Sequence, residues 1–295
     1  RFAKRMSELR EWEQRAREEL NDIAELREIR LGEFRRQMLE LETDNFKPLI
    51  DDDLLMIFLR SRKFDIERAL KTFKAWAVMR TVDPDVFFPL GKGPMNYRHV
   101  LELPIFTVMP RVNHDSTTIV VITYKHYDIS KFNFLDVITM GSLLCSYLLR
   151  DPYIQVHGVR CVVDYSGLQA NCLKAVPFKY IKVSVSTIWL IVNVMAIVIG
   201  IRDGCPARIR GIHQIHIPGF LQVLLYTIKP LLNRKLSSRT YFHTNMADLY
   251  KYIDPEILPE ELGGGAGPMK PGKFEESFLA NHDAIVQGNY CGYII

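Results

Sequence analysis

The 295-residue chain has only five cysteines, at 145, 161, 172, 205 and 291, an odd set without a CxxC pair. That spacing excludes a disulfide framework and a thiolate zinc site, and fits a reduced, cytoplasmic protein. An excess of charge is missing too: 38 Lys and Arg against 34 Asp and Glu leave +4. Recognition of an anion must therefore come from local clustering, and no nucleic-acid partner is expected. No apolar h-region opens the chain, so no signal peptide is expected, and without an initiator Met the chain reads as a fragment. The cysteine of CGYII lies one position too far from the end for prenylation, so no lipid anchor is expected.

The equipment of common enzymes is absent as well. No serine stands in a G-x-S-x-G elbow. GPMKPGKF (267–274) has the frame of a phosphate loop, but Phe274 replaces the magnesium-binding Ser or Thr, and Pro268 and Pro271 remove backbone donors. It is read as a turn, and GGGAG (263–267), with no strand before it, as a loop. His213 and His216 are three apart on a predicted strand and face opposite ways, one inward and one exposed, which excludes a metal pair. Asp164, at a strand end, reads equally as a cap or an acid. The expectation is no catalytic residue, no metal and no cofactor, hence a binding protein.

One long uncharged run exists, VSVSTIWLIVNVMAIVIGI, residues 183–201. At about 1.5 Å per residue it is just long enough to span a bilayer. Basic residues flank both ends, so the asymmetry that orients a span is lacking. A membrane-tethered adaptor anchored by 183–201 is the alternative to a peripheral protein.

The composition, 48% apolar and 24% charged, is that of a globular chain. Residues 1–42 carry both charge signs around apolar positions spaced three and four apart, a charged helical region expected to form a solvated outer layer. In 43–85, Asp51 to Asp53 cap a short helix, KFD turns the chain and Asp65 caps a second helix with Ile66, Leu70, Phe73 and Ala77 on its buried stripe. From about 90 to 266, β-branched or alternating runs at 117–124, 158–165, 208–217 and 238–244 read as strands, with helices at 132–150, 174–203 and 219–233 between them. The predicted fold class is α/β: a mixed, largely parallel sheet with helical crossovers, preceded by a small all-α subdomain and followed by a tail, 267–295. If strands 158–165 and 208–217 share that sheet, 183–201 cannot cross a bilayer once between them.

From Gly204 to Ala247 there is no Asp or Glu, while Arg208, Arg210, Lys229, Arg234, Lys235 and Arg239 are cationic. Such a cluster fits a multiply charged phosphate or, equally, a solvated basic face.

DDDLLMIFLRSRKFDIERALKTFKAW resembles the N-terminal helical motif of the CRAL-TRIO lipid-binding family. CPARIRGIHQIHIP, IKPLLNRKLSSR and LPEELGG resemble successive motifs of its lipid-binding domain, in order, in the branch of tocopherol, clavesin and retinaldehyde carriers. The resemblance implies a monomeric carrier of a small hydrophobic lipid, with an apolar cavity closed by a lid. It also implies docking on an anionic phosphoinositide membrane surface, reversibly, at endosomal or other intracellular membranes. Carried over by position, the phosphoinositide-binding cations are Arg62, Arg208, Arg210, Lys235 and Arg239. The cavity positions are Ile138, Gly141, Cys145, Val159 and Val163, and the lid includes Phe220, Leu221, Val223, Leu224 and Ile228. His216 stands where the family usually has Asn, and residues 183–201 are where the chain departs from the family's length, either as a helix extension or as an error in the gene model.

Overall fold

The computed structural model describes residues 2–43, 46, 48, 50–82, 84–87, 89–125, 128, 133–168, 204–232 and 234–289. Two helices open it, α1 (Phe2–Leu20) and α2 (Ala24–Leu39), followed by α3 (Asp52–Ser61) and α4 (Ile66–Val82). The Asp51 side chain accepts from the Leu54 N–H at 2.9 Å and Asp65 from that of Arg68 at 3.0 Å, so both predicted caps form. Between α3 and α4 the chain turns through two successive left-handed residues, Lys63 and Phe64. α3 is apolar almost all round, with Leu55 to Leu59 buried, because α2 and α4 flank it.

Phe34 and Met38 of α2 enter the same core as Phe58 and Phe73. The expectation of a merely solvated layer for 1–42 is thereby corrected: α2 supplies one wall of the helical core. Leu26 and Ile29 of the same helix are exposed.

After short helices α5 (Pro84–Phe87) and α6 (Arg98–Leu101), a five-stranded sheet forms in the order β1 (Phe106–Val108), β2 (Thr118–Thr123), β3 (Val159–Asp164), β4 (Ile209–Ile215), β5 (Thr240–Phe242). β1 pairs antiparallel with β2, and every other pair is parallel. Helices α7 (Phe134–Leu148) and α8 (Pro152–His157) connect β2 to β3. α9 (Gly219–Ile228), a 3-10 turn (Lys229–Leu231) and α10 (Arg234–Ser237) connect β4 to β5. The four strands expected from the sequence are β2 to β5; β1, three residues long, carried no comparable pattern. The helix expected at 174–203 and the run 183–201 lie outside the described residues. β3 and β4 pair side by side in the same direction, an arrangement that a single bilayer crossing between them would forbid. Among the described residues no helix is long and apolar enough to cross a membrane.

The two sheet faces differ. On one, Ile119, Val121, Val162 and Ile215 are fully covered by Leu249 of α11 (Met246–Tyr250) and by Ile253, Ile257 and Leu258. On the other, Phe106, Val108, Ile122, Cys161, Val163, Ile212 and Phe242 are only half-buried. The C-terminal stretch is no loose tail. α12 (Lys273–Ala280) and α13 (His282–Asn289) place Phe278 and Ile285 in a core with Met140 and Leu143 of α7, and Glu275 reaches back to the Val108 N–H at 3.1 Å.

Candidate functional site

Where the helical subdomain meets the β4 and β5 ends of the sheet lies a pocket of about 720 Å³. From one side Arg62, Lys63, Arg68 and Lys71 line it, and from the other Arg208, Arg234, Lys235 and Arg239. Asp65 is the single acidic residue in that lining. Four of the five cations assigned from the sequence thus converge. Arg234, already part of the acid-free basic cluster in the sequence, joins them, whereas Lys63 beside Arg62, and Arg68 and Lys71 one helical turn apart on α4, were missed; the i, i+3 spacing of Arg68 and Lys71 was the available signal.

Local geometry explains how each cation arrives. Arg62 follows α3, and its Nε donates to Thr72 Oγ1 on α4 at 2.7 Å. Arg208 immediately precedes β4, two positions before Arg210, and the Nη2 groups of both reach Glu19 on α1. Gly158, at φ +87, passes directly over Arg208: a β-carbon there would lie 2.3 Å from the Arg208 carbonyl oxygen. Arg239 donates to the Ile209 carbonyl, tying the loop after α10 to β4.

The like charges act on one another. Burial first, then Arg239, Arg208, Lys63 and Arg62, push the Lys235 ammonium below its ordinary value. Burial and the neighbouring Arg210 lower Arg208 to about 10, against the opposing pull of Glu19. Such a site gains from an anion that several guanidinium and ammonium donors can share.

Arg210 is not in the pocket lining. Its Nε donates to the His157 carbonyl at 3.0 Å and its Nη2 to Glu19 at 2.8 Å, while Arg208 Nη2 donates to the same Glu19 oxygen. Burial alone would raise the Glu19 carboxyl, but hydrogen bonds from Arg210 and Arg15 and the charges of Arg208 and Arg210 hold it at about 2.

Of the cavity positions, Ile138, Gly141 and Cys145 recur at three and four residues along one stripe of α7, half-buried. The Phe106 ring covers Gly141, whose absent β-carbon would meet it at 2.9 Å. Val159 and Val163 lie on the half-covered sheet face with Cys161 between them, though Val159 itself is buried at its lower end. Burial pushes the Cys161 thiol up to about 12, so this apolar floor keeps it protonated and inert.

In α9, Phe220, Val223 and Tyr226 are 38%, 73% and 59% exposed and three apart, an outward apolar stripe, while Leu221 turns inward. The side chains of Leu224 and Ile228 lie outside the described residues. Tyr226, whose ring packs at a tilt against Phe242 with ring centres 4.8 Å apart, was missed as part of the stripe although its spacing from Val223 announces it.

No arrangement for catalysis is assembled from the residues weighed for it. His213 is fully buried on β4, while His216 lies one residue past the end of that strand, at φ +50, and is exposed. Asp164 accepts from the Ser166 N–H and Oγ and faces His216 Nδ1 at 2.8 Å, closing a turn at the end of β3. Among the described residues no group of three or more His, Cys, Asp or Glu could hold a metal ion.

Comparison with known proteins agrees with this architecture. The CRAL/TRIO domain model matches residues 104–264. Human alpha-tocopherol transfer protein-like is 29% identical over 274 residues, which cover 92% of this chain and 75% of that protein. Human clavesin-2 is 26% identical over 267 residues, 90% of this chain and 77% of its own. The crystal structure of Sfh5 superposes with a TM-score of 0.50 at 10% identity, covering 89% of this chain and 98% of that one, a likeness of fold.

Proposed function

The chain belongs to the CRAL/TRIO domain family, and we propose that it binds and transfers a small hydrophobic lipid and docks on membranes through phosphatidylinositol bisphosphate. The observation that carries the docking is the pocket in which Arg62, Arg208, Lys235 and Arg239 converge from two subdomains. The membership and the half-covered apolar sheet face support the cargo site. No group here is asked to make or break a bond; the protein acts as a carrier, as a monomer.

In this mechanism the lipid lies between the α7 stripe of Ile138, Gly141 and Cys145 and the sheet floor around Cys161 and Val163. Each methylene kept from water there is worth about 0.8 kcal/mol. α9 acts as the lid. Its outward Phe220, Val223 and Tyr226 enter the bilayer surface while the adjoining pocket, joined to α9 through the Lys229–Leu231 turn, holds the headgroup phosphates. Anchoring lasts as long as those phosphates are held, which makes the association reversible and directs it to endosomal or other intracellular membranes that carry them.

Co-sedimentation with phosphatidylcholine vesicles, with and without phosphatidylinositol bisphosphate, tests the docking. Replacing Arg62 and Lys235 by Ala is expected to weaken binding by about 1 kcal/mol for each charge. Binding that ignores the phosphoinositide, or survives the double substitution unchanged, contradicts it.

A further inference from the structure

The donors of Arg208 and Arg210 are not idle: a carboxylate of the chain itself is seated on them. Glu19 Oε2 accepts from Arg210 Nη2 at 2.8 Å and from Arg208 Nη2, and Glu19 Oε1 accepts from Arg15 Nε at 2.8 Å. This carboxylate leaves the pair incompletely satisfied. Arg208 Nη1 is buried without a hydrogen-bond partner. A buried guanidinium donor left unpaired is costly, and a phosphate monoester, with three terminal oxygens and up to two charges, offers what two carboxylate oxygens do not.

We propose that Glu19 is an internal competitor for the headgroup phosphate: it holds Arg208 and Arg210 in place at rest and must release Arg208, the one of the pair that lines the pocket, before a phosphate can take its donors. It thereby sets the affinity threshold of the pocket. The inference rests on the reading of the pocket as a phosphoinositide site. A phosphate cannot simply join the carboxylate, because both would claim the same guanidinium donors and like charges held close repel. The exchange needs only a side-chain movement. α1 stays where it is, since Ala16 and Leu20 are buried against Val156 and Trp12 Nε1 donates to the Pro152 carbonyl at 3.4 Å. Arg15, on α1 itself, gives the displaced carboxylate a partner to keep. Weakly charged anions do not repay the lost ion pairs, whereas a multiply charged headgroup does.

Four full-length proteins distinguish this from a mere scaffold role or a mere charge effect: the natural chain, Glu19→Gln, Glu19→Asp and Glu18→Gln. Glu18 is exposed one position along α1 and bonds to Gln14, so its substitution removes the same charge without touching the arginines. On phosphatidylcholine vesicles doped with phosphatidylinositol bisphosphate, Glu19→Gln is expected to bind about fivefold tighter, the scale of a partly exposed ion pair. Glu19→Asp, which keeps the charge but is too short to serve both arginines, is also expected to bind tighter, and Glu18→Gln to bind like the natural chain. Unchanged or weaker binding by both Glu19 variants overturns the proposal, as does equal tightening by Glu18→Gln. If none of the four binds these vesicles, the phosphoinositide reading falls, and the competitor role with it.

Discussion

Asp22 Oδ2 accepts from Arg60 Nε at 2.8 Å, with the acid side chain fully buried and the arginine 7% exposed. Asp22 also accepts from Arg27, and Arg60 Nη1 donates to Gln155 at 2.7 Å, so one network joins the α1–α2 connection, α3 and α8. Burial lowers Arg60 below its ordinary value and Asp22 opposes that, which is the mark of a charge that depends on its partner. Removing one member strands the other: Asp22→Ala is expected to cost about 3 kcal/mol or more, measured by urea unfolding. A loss below about 1 kcal/mol would mean that the pair is not closed to water.

Gly158 bears directly on the pocket. Its left-handed backbone and its approach to the Arg208 carbonyl leave no room for a methyl group. Gly158→Ala is expected to cost about 2 kcal/mol and to displace Arg208. Thermal unfolding reads the first effect and vesicle binding the second. A variant that keeps both at their natural values would show that the β3–β4 junction yields freely.

Val163 tests the cargo site separately from the membrane site. It is half-buried on the open sheet face and remote in sequence from every pocket residue. Val163→Trp is expected to fill the floor, sharply lowering the uptake of a fluorescent apolar lipid while leaving phosphoinositide vesicle binding in place. Undiminished uptake would place the lipid elsewhere.

Acid stability has a named source. His213 stacks on Tyr241 with ring centres 4.9 Å apart, and its Nδ1 lies 2.9 Å from His243 Nε2. Burial first, then the His243 and Arg160 charges, push His213 from 6.5 down to about 3. The unfolded chain binds that proton and the folded chain does not, so this contribution is whole above pH 6.5 and is lost as the pH falls toward 3. The expected slope is about 1.4 kcal/mol per pH unit in that window, and it should shrink in His213→Phe. An identical slope in the variant would assign the acid sensitivity to the carboxylates instead.

The parallel sheet and the helical caps were legible because they are written locally: β-branched runs at 118–123 and 159–164, Asp51 and Asp65 at helix starts. The basic pocket was legible only in part. Arg208, Lys235 and Arg239 stand in a stretch without acids, but Lys63, Arg68 and Lys71 reach the same space through the packing of α3 and α4; the i, i+3 spacing of Arg68 and Lys71 puts them on one helix face without telling what that face meets. Glu19 was invisible for the same reason, being 189 positions from Arg208 in a helix full of charges. α12 and α13 were read as a tail because their apolar positions, Phe278 and Ile285, are few, and each gains its meaning from α7. Lid positions at three-residue spacing could be read, but not which side of α9 faces out.

Whether the chain carries a lipid is read from mass spectrometry of organic extracts of the purified protein. One class of apolar lipid is expected at close to one molecule per chain, depleted in Val163→Trp. Extracts free of lipid, from protein that also takes none up from vesicles, would contradict the carrier role.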